Sequence, residues 1–204
     1  MKCWVELIIA FLIAPVIFAV AVSDIDTWLM PSLFCAGIIC LLLLLKDKEF
    51  KRKKLFHMQE VSTHFISALK LFLPIAILFS SGIYLFAPDI FLFLPLQDPN
   101  FWLITLLVYP IVSVIPQELI FRTFFFHRYR KLFPSKHLRV FSSSFFFGLA
   151  HIVYGNWIAV VVSWFAGVVF GYRYTSSKST LIVVIEHTVW GSFAFTIGLG
   201  VFLV

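Results

Sequence analysis

Charge is scarce in this chain. Only 13% of its 204 residues are Asp, Glu, Lys or Arg, about half the share of a soluble domain, and 61% are hydrophobic. So much apolar surface excludes a water-soluble fold and leaves a chain buried in lipid. Cysteine is nearly absent. Cys3, Cys35 and Cys40 make no paired framework and no CxxC spacing, and Cys35 and Cys40 sit in an apolar run as small hydrophobes. The sequence holds no HExxH, and Ser142, Ser143 and Ser144 lack the glycines of a nucleophile elbow. It also has no internal repeat, no Gly/Ser linker and no low-complexity tract.

What is present is a series of continuous apolar runs. They lie near Val5–Val22, Leu29–Leu45, Phe65–Phe86, Phe101–Phe126, Val140–Val153, Trp157–Tyr172 and Leu181–Leu203. Most approach the roughly 20 residues a spanning helix requires. Without period-2 alternation they read as helices, not barrel strands. The expected fold is all-α, a polytopic transmembrane bundle of about seven spans in one membrane-embedded domain, 1–204. Lys2 and Ala19-Val20-Ala21 loosely resemble a signal peptide, but the length of the first run favours a retained span.

The formal net charge of +6 raises nucleic acid as a partner, but the basic residues cluster in short loops. Lys46–Lys54, His127–Arg139 and the stretch from Arg173 to Lys178 are basic, whereas Ser23–Asp26, Pro88–Asn100 and Tyr154–Asn156 carry no Lys or Arg. That alternation reads as topology and headgroup contact, excludes nucleic acid, and puts the N-terminus and all three basic loops in the cytoplasm. The segment Lys46–His64 is expected to be a loop with an interfacial helix around Leu55 to Val61. His127 and His137 are expected to be solvated.

Against this background a few ionisable groups stand inside the runs: Glu118, Arg122, His151, Glu186 and His187. Such groups are costly in lipid, so they face a protein interior and pair. Glu118 and Arg122 are four apart with the acid first, the favourable order for a pair on one helical face. That pair either neutralises two buried charges or holds an ionised carboxylate that can deprotonate water. Counting from the basic ends at 1.5 Å per residue puts Glu118, His151 and His187 roughly 13, 18 and 10 Å deep, in one band. Gln117 points about 100° away from Glu118 and cannot be a base. Pro110 and Pro116 interrupt the same run and announce a kink beside a cavity. Gly148, Ala150 and Gly191 permit close helix approach. Glu118, His151 and His187 also make a candidate zinc set with an open position, which sequence cannot tell from a metal-free site. Glu186 is a partner for the site or for a neighbouring cation.

Glu118-Leu119-Ile120-Phe121-Arg122, then Phe147-Gly148-Leu149-Ala150-His151, then His187 resembles the three motifs of the CPBP family, also called Abi or CAAX-protease-like intramembrane proteases. The resemblance covers about Phe101 onwards, with residues 1–98 as variable N-terminal spans and 99–204 as a protease-like core. It implies a bundle whose site opens to the cytoplasm and an endopeptidase acting on a peptide or protein, lipidated or not. Glu118, Arg122, His151 and His187 would be catalytic, with Gln117 and Phe147 supporting. A carboxylate and His151 would activate water, and His187 would stabilise the oxyanion. Two departures stand out: Gln117 replaces the usual first Glu, and Gly191 the usual Asn. The alternatives are a catalytically silent relative that grips a peptide or lipid, and a proton-coupled transporter.

Overall fold

The computed structural model describes residues 2–22 and 24–203, and Ser23 of the first acidic connection lies outside them. The described chain is helical. The long helices are α1 (Lys2–Ala21), α2 (Ile25–Lys46), α3 (Val61–Phe86), α4 (Pro99–Arg128), α5 (Lys136–Ala150), α6 (Trp157–Ser177) and α7 (Thr180–Ile197). Six of these are long and apolar enough to cross a membrane; α5 is the exception. Its 15 residues, extended by the tight turn His151–Tyr154, still reach about 30 Å, close to the hydrocarbon thickness. The outward faces stay apolar, with Leu78 68% and Leu107 72% exposed, as lipid contact requires.

Several boundaries differ from those read off hydropathy. α3 begins at Val61, where polar Ser62, Thr63 and His64 continue the helix. Residues 56–60 form no helix, so the expected interfacial helix around Leu55 to Val61 is not there, and a single turn, Arg52–Leu55, comes before that stretch. α7 ends at Ile197 because Gly198 adopts φ +103° and its missing Cβ admits the Ile90 carbonyl. His127 is buried instead of solvated, its Nε2 2.8 Å from the Asp47 carboxylate. His137 reaches only the Tyr172 hydroxyl, 2.7 Å away on an exposed surface.

α4 is the axis of the bundle. Proline lacks an N–H, and two wide π turns, Pro110–Val114 and Leu119–Phe124, flank the short α-helical stretch Ile115–Glu118. Every residue from Pro116 to Phe125 is buried. α2 approaches this region closely, because a Cβ at Gly37 would lie 2.6 Å from Pro116. α1 belongs to the same core. Its Phe11 meets Phe121, Phe125 and Tyr129 edge-on, and Glu6 accepts from Arg128 at 2.6 and 2.9 Å. α5 lies along α6, where Gly148 leaves room for the Val160 carbonyl and Trp164. α6 and α7 are clamped by Arg173 and Glu186, both buried, at 2.5 and 3.2 Å. That ion pair answers the question about Glu186: it neutralises a neighbouring cation.

Candidate active site

Three of the ionisable groups singled out by sequence meet inside the bundle. Glu118 is fully buried on α4, with Arg122 Nε 3.2 Å from one carboxylate oxygen and His187 Nδ1 2.7 Å from the other. A carboxylate accepts, so His187 donates from Nδ1. Arg122 is fully buried too. Its guanidinium lies 4.1 Å from the Phe147 ring centre and donates to the Gly167 carbonyl at 3.4 Å. His187 stacks on Phe170 at 4.5 Å, which fixes its plane. Together α4, α6 and α7 form a sealed acid–base–imidazole cluster.

His151 makes no hydrogen bond to that cluster. Phe147 packs against both, its ring 4.8 Å from the His151 ring and 5.8 Å from that of His187. His151 begins the tight turn after α5, and its Nδ1 lies 2.7 Å from the Phe147 carbonyl. A carbonyl only accepts, so Nδ1 carries the hydrogen and Nε2 keeps its lone pair.

His151 faces open space together with Gln117, the neighbour of Glu118 on the adjoining face of α4. Two apolar cavities, of about 510 and 430 Å³, share Gln117, His151 and Tyr154 as a common wall. The larger lies between α4 and α7; the smaller lies between α1, α2 and α4. Glu118, Arg122 and His187 border neither. The Gln117 amide donates to Ser113 Oγ at 2.8 Å, and its own oxygen is buried without a partner. An unsatisfied buried acceptor is costly, so a hydrogen-bond donor brought against this oxygen would be stabilising.

Sequence reasoning passed over three polar groups of the larger cavity. Thr105, Tyr109 and Ser113 all line it with Gln117, at intervals of four residues along α4. That interval makes a polar ridge on one helical face and was visible in the sequence. Tyr109 fills the space left by Gly191: any Cβ at 191 would collide with its hydroxyl. The glycine on α7 thus serves a tyrosine from α4.

Glu118 has an oxygen on each of Arg122 and His187, and among the described residues no three His, Cys, Asp or Glu side chains gather to hold a metal.

The fold and the site define a membrane-embedded helical protein with a histidine on the wall of two apolar cavities and a buried Glu–Arg–His cluster. Residues 99–193 match the family model described as type II CAAX prenyl endopeptidase Rce1-like. That segment carries Gln117, Glu118, Arg122, His151 and His187, and through it the chain is similar to the CPBP (Abi) family of intramembrane proteases. No curated protein and no solved structure matches the chain.

Proposed function

We propose that this protein is an intramembrane endopeptidase that cuts an apolar peptide, or the peptide end of a lipid-bearing protein, at the wall shared by the two cavities. The observation that carries this reading is the shared wall. An endopeptidase must accommodate chain on both sides of the cut bond, and Gln117 and His151 stand where one apolar cavity meets the other. Each cavity is in the range of small-molecule sites and has room for apolar side chains or part of a lipid tail. The basic end of the bundle faces the cytoplasm in this reading, by the positive-inside rule.

In the proposed reaction a water donates one hydrogen bond to the partnerless Gln117 oxygen and the other to His151 Nε2. His151 takes a proton as the water oxygen attacks the scissile carbonyl carbon. The Tyr109 hydroxyl donates to the developing oxyanion from the same cavity. His151 then returns the proton to the amide nitrogen, the C–N bond breaks, and a carboxyl and an amine leave. The sealed cluster of Glu118, Arg122 and His187 holds α4 and α7 in register so that Gln117, Tyr109 and His151 converge.

The test is incubation of the reconstituted protein with apolar peptides, with and without a prenyl group, and mass analysis of the products. Internal cleavage is expected, and binding without products would contradict it. A Tyr109→Phe variant is expected to lose about 10²–10³-fold in kcat, the usual cost of removing one oxyanion donor, with KM little changed. Unchanged kcat would remove Tyr109 from the mechanism.

A second reading, a relative that grips a peptide without turnover, has one observation in its favour. Glu118 is wholly buried and committed to Arg122 and His187, and Gln117 cannot act as a base. Saturable peptide binding with no cleavage in the same assay would identify it.

A further inference from the structure

The three basic loops converge on one end of the bundle. There Lys54, Arg130, Lys136, Arg139 and Lys178 surround a cavity of about 320 Å³ floored by Phe126 and Tyr174. No carboxylate lines it. Of the acids nearby, Glu49 is joined to Arg130, and Asp47, which also feels that arginine, is held by His127. Five like charges around one small space repel each other, and folding brought them together from three separate segments.

The cations are held in place by the backbone around them. The Lys54 carbonyl accepts from Thr180 Oγ1 at 3.2 Å, tying its loop to the start of α7. One amino group of Arg139 donates to the carbonyls of Phe133 and Pro134 at 2.8 and 3.2 Å. Lys178 sits in the left-handed turn between α6 and α7, at φ +53°. α5 begins at Lys136 on the rim, and its N-cap Ser135 offers no side-chain cap, so the positive end of this helix adds to the same field. The Lys54 ammonium is pushed below the usual lysine range, first by burial and then by Lys51, Arg130, Lys178 and Arg139. Apart from Arg130, the cations around this cavity have no ion-pair partner among the described residues.

We infer that this cavity is a binding site for a phosphate group, supplied either by an anionic phospholipid at the membrane surface or by a free phosphate in solution. A phosphate offers several charged oxygens in different directions, which suits donors converging from separate segments. The site is independent of the peptidase reading. It is separated from His187 by one aromatic layer, in which Tyr174 touches Phe126 at 5.2 Å and Phe170 stacks on His187 at 4.5 Å.

The experiment uses the full chain in phosphatidylcholine nanodiscs and follows Tm. One arm titrates inorganic phosphate against chloride at equal ionic strength; the other replaces part of the phosphatidylcholine with phosphatidylglycerol. Saturation in either arm is expected to raise Tm by about 5 °C. A rise with inorganic phosphate alone identifies a soluble phosphate, and a rise with phosphatidylglycerol alone a lipid headgroup. The double variant Lys54→Gln/Lys178→Asn, with Asn chosen because it tolerates the left-handed turn, is expected to lose the rise while keeping at least the wild-type Tm without ligand. Should that variant fail to fold, the exposed Lys136→Gln variant is expected to show a reduced rise. No rise in either arm, or an equal rise in the variant that folds, overturns the proposal.

Discussion

His151→Ala is expected to lower peptide cleavage by about 10²–10⁴-fold, the range that a positioned general base contributes. His151 is the imidazole on the wall shared by the two cavities, and its Nδ1–H bond to the Phe147 carbonyl leaves Nε2 as the free base. The ring is only half-buried, and its loss frees a single carbonyl. The fold should therefore survive, at a cost of about 1–3 kcal/mol. Thermal unfolding run beside the cleavage assay separates the two effects. His151→Gln keeps much of the bulk but has no basic nitrogen, so it should be as inactive as the alanine variant. Cleavage within tenfold of wild type in either variant would contradict the assignment of His151 as the base.

The second large effect concerns stability. Glu118→Ala is expected to destabilise the protein by about 3–5 kcal/mol, because it strands a fully buried Arg122 without its counter-ion. It also removes the acceptor that fixes His187. The double variant Glu118→Leu/Arg122→Met exchanges the pair for apolar bulk and should recover most of that loss, as apolar replacements of buried pairs do. Denaturation of the three proteins in one detergent measures this directly. The comparison also separates structure from chemistry. Should Glu118→Gln stay as stable as wild type yet lose cleavage completely, Glu118 is the base after all and the roles assigned to it and His151 are reversed.

Much of this arrangement was legible in the sequence, and the reasons differ from residue to residue. Continuous apolar runs specify helices without ambiguity, because a backbone in lipid must satisfy its own hydrogen bonds. The Glu118–Arg122 pair followed from spacing alone, and His187 from its depth. The same depth argument placed His151 in the band but could not see that its hydrogen-bond partner is the Phe147 carbonyl and not Glu118. Depth is one coordinate, and the direction a side chain faces is another. Here the π turns of α4 bear on that second coordinate, since they change the angle between successive residues. The ridge of Thr105, Tyr109, Ser113 and Gln117 was readable from its interval of four, but hydroxyls in an apolar helix attract less notice than charges. The Arg173–Glu186 clamp and the His127–Asp47 contact depend on how neighbouring segments dock, which no local pattern encodes.

Gln117 of the wall and Glu118 of the cluster are neighbours on α4 on adjoining faces, one bordering open cavity and one set in packed protein. That division makes the nucleophile's origin the sharpest question. Cleavage of an apolar peptide in ¹⁸O-labelled water by the reconstituted protein, read by mass spectrometry, addresses it. The account predicts one labelled oxygen in the new carboxyl terminus of the product, formed at a rate that collapses in His151→Ala. Labelled product formed equally well without His151, or no product from a peptide that binds, would contradict it.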